Sequence, residues 1–183
     1  SLRSAYCAAE FDNGPSLATT VETAFVRSLD PVLAAAVVDG PSDGAAFAQA
    51  WCTEVHGVRL EHPDTDPLPT SAADPRVFDQ DGDGHPGITV RACAFGLITG
   101  DVYVVQRLRT RLEGRVVSAD RIEGTVQGSV EQVILGATNS LFLGAIVSRP
   151  DPVAAHSYFV LERVDATADC DDVLSRRGSV FGG

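Results

Sequence analysis

The residues with the most legible chemistry are Asp79-Gln80-Asp81-Gly82-Asp83-Gly84-His85-Pro86-Gly87. Ca2+ is a hard cation that gathers roughly six to eight oxygens, and carboxylates at alternate positions of a tightly turning chain can converge on one ion. Asp79, Asp81 and Asp83 fall at positions 1, 3 and 5 of an EF-hand-type loop, Gly84 at position 6, where the backbone turns sharply, and the carbonyl of His85 at position 7. Position 9 is Gly87, which offers only a backbone group or a water, and position 12 is Val90 where such a loop carries a bidentate Glu. The closing ligand must therefore come from outside the loop, with Asp64, Asp66, Asp74 and Asp101 the nearest acids in sequence. A plain Asp/Gly turn without metal is the competing reading. Against it stands the mutual repulsion of three carboxylates within five residues.

Other reactive groups are sparse. Cys7, Cys52, Cys93 and Cys170 are even in number and lack the close CxxC pairs of zinc or thioredoxin-type sites. Two disulfides in an oxidising compartment follow, with Cys7–Cys52 and Cys93–Cys170 the favoured pairing among three; four buried free thiols are the alternative. His56, His62, His85 and His156 are scattered, and there is no GxSxG elbow, HExxH, phosphate loop or dinucleotide-binding GxGxxG. No catalytic constellation emerges from the sequence, although one assembled in space would leave no local signature.

Charge narrows the partners. A net charge of −11 argues against a nucleic-acid partner, because neutralising phosphates requires a basic surface. All 14 basic residues are arginine. Arg107, Arg109 and Arg111 form a ladder on one face of a strand, read either as a site for an acidic partner or as a solvated face balanced by Asp120, Glu123 and Glu131; the balanced face is favoured. The apolar run 133–147 is broken by Thr138-Asn139-Ser140 and is too short to span a bilayer, so no transmembrane segment is expected. A chain that opens at Ser1 is consistent with a processed or a trimmed N-terminus.

The elements that must position the loop read as mainly β. With 183 residues, 44% of them hydrophobic, one domain is the default. Residues 1–60 supply N-terminal strands and a possible short helix, 61–76 a Pro/Asp-rich irregular segment, and 77–183 the metal loop, a β-meander and a C-terminal helix. Thr19 to Leu29 reads as a weakly amphipathic strand; Pro31 to Val38 suits a short helix or a second strand; Ala45 to Cys52 suits a helical turn leading into a strand to Leu60. The irregular segment either wraps back to complete the ion's shell or is a flexible linker.

Val77-Phe78 before the loop and Ile88-Thr89-Val90 after it are strand formers, unlike the helices that flank a calcium sensor. Strict alternation over 102–112 marks a half-buried strand, preceded by a strand over 88–97 and a Thr99-Gly100-Asp101 turn. Further strands are expected at 115–126, 130–137, 141–147 and 157–164, with turns at Gly128-Ser129, Thr138-Asn139-Ser140 and Arg149-Pro150-Asp151-Pro152. About eight antiparallel strands suit an up-and-down barrel or a sandwich. Thr167 to Gly178 reads as a helix capped by Thr167 or Asp169 and stopped by Gly178.

The run Val77 to Val90, with Tyr103-Val104-Val105-Gln106-Arg107 and a late Cys170, resembles secreted proteins and lipoproteins of high-GC Gram-negative bacteria that carry DxDxDG calcium loops. The specific motif is the loop; the rest is a looser likeness over 70–175. That resemblance implies an extracellular, cell-surface or periplasmic location and Ca2+ as the bound cofactor, and carries no activity with it. Three functional expectations remain: a calcium-stabilised structural or adhesive module that self-associates or meets a protein partner at the cell surface, favoured; a lipocalin-like barrel around an apolar ligand; and, more weakly, a calcium-dependent enzyme. An apolar interior cavity would favour the second, and a cleft gathering His56, His156 and carboxylates the third.

Overall fold

The alternation around residues 102–112 builds the strand on which the rest of the chain is hung. The computed structural model describes residues 1–9, 11, 12, 14–144, 151 and 153–181. In chain order these form β1 (Leu2–Ser4), β2 (Phe11–Asp12), β3 (Leu17–Thr20), α1 (Thr23–Ser28), β4 (Val32–Ala34), β5 (Ala36–Val38), β6 (Ala46–His56), β7 (Ile88–Ala94), β8 (Ile98–Ser118), β9 (Arg121–Ala137), 3-10 turns at Ser140–Phe142 and Ala154–His156, β10 (Tyr158–Glu162), α2 (Cys170–Ser175) and α3 (Arg177–Phe181). The fold is mainly β and antiparallel with short C-terminal helices, as expected, and its main sheet curls into a half-barrel. Eight strands share that sheet, while β1 and β4 make a separate ribbon. Among the described residues no helix is long and apolar enough to cross a membrane.

Strand β8 is the spine. β9 pairs along nearly its whole length, whereas its other edge is shared: β7 takes 98–104 and β6 takes 106–115. Beyond β7 lie β3 and β2, beyond β6 lies β5, and beyond β9 lies β10. Both faces of the spine are covered. On one, Val102 and Val104 meet Phe25 of α1, Ile88, Ala92 and Phe142; on the other, Val105 meets Val58 and Leu68. Val102, Val104 and Val105 are fully buried, each contributing roughly 1.5–3 kcal/mol by transfer.

Several elements differ from expectation for identifiable reasons. Residues 23–28 are helical because the apolar contacts recur every four residues, Val21, Phe25 and Leu29 all packing on the core, a helical spacing that the weak alternation concealed. From Ala46 to Cys52 the chain is strand, part of β6 with a bulge between Gln49 and Cys52, and Val32–Ala34 and Ala36–Val38 form two strands. Gly128-Ser129 makes no turn; β9 runs straight through it. Nor does a strand end at 112: β8 continues to Ser118 through Gly114, which lies opposite Gly124. A Cβ on Gly124 would be driven into the Glu113 carbonyl oxygen, and one on Gly114 would lie 2.9 Å from the Phe159 ring, so these glycines mark close approach beneath the Phe47–Phe159 pair.

The β7–β8 turn falls four residues earlier than expected, at Phe95-Gly96, both of positive φ (52° and 68°), as a primed hairpin turn requires. Gly178 does not stop the C-terminal helical region, since α3 begins at Arg177; Asp169 caps α2 through a reciprocal box with Asp172. Of the expected strand at 141–147, Leu141 and Phe142 are in a 3-10 turn and 145–147 lie outside the described residues, as do Arg149, Pro150 and Pro152 of the expected 149–152 turn.

The cysteine pairing is also corrected. Cys7 bonds Cys170, while Cys52 and Cys93 are free thiols. The favoured partners lie on different strands: Cys52 sits beside Thr110 on β8, and Cys93 beside Ala18 and Thr99. Intact mass should therefore fall two hydrogens short of the fully reduced chain, and Cys52 and Cys93 should alkylate on denaturation without reductant. A loss of four hydrogens would contradict this pairing.

Candidate metal centre

The Asp79–Gly87 loop is fixed to the sheet by main-chain contacts. Gly87 N–H donates to the Phe78 carbonyl (3.0 Å), Gln80 N–H to the Gly87 carbonyl (3.0 Å), and Phe78 N–H to the Gly57 carbonyl (3.2 Å). Val58 bridges Val77, and Asp79 bridges Gly87. The Gln80 side chain accepts from Gly57 N–H. Gly82, Gly84 and Gly87 all have positive φ, the conformation the tight winding demands.

That winding draws Asp79, Asp81 and Asp83 together, with one carboxylate oxygen from each within 4.8 Å of the others. The group could hold a metal ion. Asp79 Oδ1 accepts from Gly82 N–H (2.7 Å) and Asp83 N–H (3.2 Å), and its Oδ2 from Gly84 N–H (2.8 Å). Asp83 Oδ1 accepts from His85 N–H, and its Oδ2 from the Thr89 hydroxyl (2.6 Å). Asp81 Oδ2 accepts from Thr89 N–H (2.7 Å), but its Oδ1 is sealed from solvent with no hydrogen-bond partner among the described residues. An orphaned carboxylate oxygen facing an acid cluster is what a cation would satisfy.

Ionisation follows the same geometry. Burial works against charge on Asp79, yet the Gly84 and Gly82 amides and its neighbours outweigh it and hold the carboxyl below its ordinary value. Asp81 moves the other way: burial first, then the Asp83 charge, raise it despite the Thr89 amide. The His85 ring stacks on Tyr103, centroids 4.3 Å apart, fixing the residue whose carbonyl the spacing assigns to position 7.

None of the four outlying aspartates joins the cluster. Asp74 grips Arg76 (2.8 and 3.0 Å), and those hydrogen bonds pull its carboxyl down to about 2. Asp66 accepts from His62 N–H (2.8 Å), Asp64 from the Thr53 hydroxyl, and Asp101 lies 3.9 Å from Arg91. Val90 turns into the core. Glu22, Thr89 and Arg91 line a small cavity with Asp81 and Asp83 instead, Glu22 bonding Arg91 at 2.9 Å. Thr89 sits two residues past the glycine turn, but nothing local marks Glu22, which arrives from the far end of β3.

Two members of the arginine ladder, Arg107 and Arg109, reach the irregular segment, and only Arg107 is buried. Buried Arg107 pairs with Glu131 (3.0 Å) and donates to the Asp66 carbonyl; Arg109 lies 3.7 Å from Asp64; Arg111 pairs with Glu113 (2.5 Å). Of the three acids expected to balance it, only Glu131 does: Asp120 pairs with Arg163 and Glu123 with Arg121. With Leu68 and Pro69 buried, residues 61–76 form a cover on the sheet. His62 pairs with Asp66 and His156 with Asp151, while His56 lines an interior cavity that His156 does not reach.

No family model matches the chain, and neither the curated proteins nor the solved structures contain a match. The likeness to calcium-loop proteins rests on the Asp79-Asp81-Asp83 cluster alone.

Proposed function

We propose that the chain is a secreted or cell-surface structural module in which Ca2+, held by Asp79, Asp81 and Asp83 with main-chain help from His85 and Gly87, clasps the 57–87 excursion onto the sheet. The observation that carries this reading is the placement of the loop: Gly57 and Gly87 meet at its base, where a Cβ on Gly57 would lie 2.7 Å from the Gly87 Cα and 2.9 Å from the Val104 carbonyl oxygen. An ion there stiffens both ends of the cover at once. All donors are oxygens, which suits a hard cation, and a shell with no closing Glu suits the weak, millimolar-range sites of extracellular modules. The Cys7–Cys170 bond is compatible with an oxidising compartment.

A protein partner or self-association at the surface is supported by exposed apolar side chains at one end of the sheet. Phe95 is 71% and Leu97 87% exposed, and Leu141 and Leu143 are exposed on the turn whose Asn139 bonds the Thr99 carbonyl.

Calcium is tested by melting. With free Ca2+ at about a hundredfold its Kd, stabilisation is about 2.7 kcal/mol, a rise in Tm of roughly 5–10 °C for a chain of this size. Asp81→Asn with Asp83→Asn should abolish the calcium response whatever it does to the metal-free Tm. A wild-type Tm indifferent to Ca2+ and to chelator would sink the proposal.

A further inference from the structure

The core between α1 and the sheet is not filled. A cavity of about 180 Å3 lies there, walled by the Val21, Phe25 and Leu29 stripe on one side and by Ile88, Val90 and Leu108 on the other. Tyr6 and half-exposed Phe11, from the N-terminal segment, stand at its edge. Its floor is polar. The strand register places His56 of β6 beside Gln106 of β8, and Gln106 beside Gln132 of β9, so an imidazole and two amides form one cross-strand row beneath an otherwise apolar space.

That row contains an unexplained atom. His56 Nδ1 is sealed from solvent and has no hydrogen-bond partner among the described residues. Buried polar atoms are nearly always bonded, so one that is not, beside a cavity, points to a missing partner. Burial holds the imidazole below its ordinary value, with Glu54 working against it, so the ring is neutral in the physiological range. A neutral imidazole nitrogen can accept from a hydroxyl.

Size and charge then define the occupant. A dry apolar cavity of ~150 Å3 takes up a benzene-sized molecule, whereas drug-sized ligands need roughly 300 Å3 or more; this space suits one ring with a substituent. An anion would meet Glu54, which accepts from the Tyr6 hydroxyl at 2.7 Å beside the cavity, and an ion of either sign would lose its hydration without a counter-charge. We propose that the cavity is a binding site for a small uncharged phenol-like molecule, its ring between α1 and the sheet and its hydroxyl on His56 Nδ1, which a turn of the imidazole about its Cβ–Cγ bond brings from its sealed position to the cavity wall. The site is separate from the calcium loop and does not depend on the calcium reading.

The probes are p-cresol and its hydroxyl-free counterpart toluene, titrated into the intact, oxidised chain by calorimetry and ligand-observed NMR. Saturable p-cresol binding is expected with a Kd of roughly 0.1 mM, about tenfold tighter than toluene. His56→Leu should erase that preference while toluene still binds, and Leu108→Phe, which fills the cavity, should weaken both at least tenfold. If Leu108→Phe does not fold, the wild-type and His56→Leu titrations decide. Absence of saturable p-cresol binding, or an unchanged preference in His56→Leu, overturns the proposal.

Discussion

Replacing Gly87 with alanine should destabilise the protein by about 3–5 kcal/mol, among the largest effects expected of any single substitution. Two costs add. Gly87 has φ of 89°, a conformation that costs a residue with a side chain on the order of 1–3 kcal/mol. In addition, the new Cβ would be driven into the Val104 carbonyl oxygen, and Val104 is fully buried in the spine and cannot retreat, so overpacking contributes a further 1–3 kcal/mol or so. Gly84→Ala is the control: its φ is 88°, yet nothing lies within 4 Å of the added Cβ, so only the conformational cost applies. Urea unfolding of both variants without Ca2+ should show the midpoint falling at nearly constant m, and falling further for Gly87→Ala. Equal midpoints would mean that the loop does not rest on β8 as described.

Gly87 also shows why parts of the site could be read from sequence and parts could not. At position 9 of the loop it brings no side chain to offer an ion, and its identity is explained by the strand it touches, which is distant in sequence. The DxDxDG spacing is a local pattern and survives translation into structure: Asp79, Asp81 and Asp83 do converge. Asp64, Asp66, Asp74 and Asp101 are near the loop in sequence, but Thr53, His62 and Arg76 engage the first three, and Asp101 lies beside Arg91. Glu22 faces the same small cavity because β3 pairs with β7, a contact that no local signal encodes.

The fold divides along the same line. Period-two alternation located β7 and the middle of β8. It failed at α1, where Val21, Phe25 and Leu29 fit a helical spacing that a short window overlooks. Glycine was ambiguous by nature: Gly96 makes a turn, whereas Gly114 and Gly124 permit two backbones and Phe159 to meet, and the residue type alone does not separate these uses. Arg107 looked solvent-facing because alternation assigns a face without saying what covers it. The cover is Leu68, Pro69 and the Asp66 carbonyl.

Loss of the Cys7–Cys170 bond is the other large effect. Its cysteines are 163 residues apart, for which the chain-entropy model gives about 5 kcal/mol as an upper figure; at roughly 2–4 °C per kcal/mol the Tm should fall by some 10–20 °C. The bond joins pieces that little else holds. The N-terminal segment is otherwise tied by the short β1–β4 ribbon and the Tyr6–Glu54 hydrogen bond, and α2 meets α1 through the exposed Arg27–Asp171 pair at 2.8 Å, a contact worth about 0.2–1 kcal/mol. Arg27 also donates to the Cys7 carbonyl, so α1, the N-terminus and α2 meet at one point. Cys7→Ser with Cys170→Ser should therefore lower the Tm by that amount, whereas Cys52→Ser, at a free thiol, should shift it little. Because Tyr6 edges the interior cavity, the double variant should also bind p-cresol more weakly at a temperature where it remains folded. A Tm drop without that weakening would show that the bond stabilises the chain ends without shaping the cavity mouth.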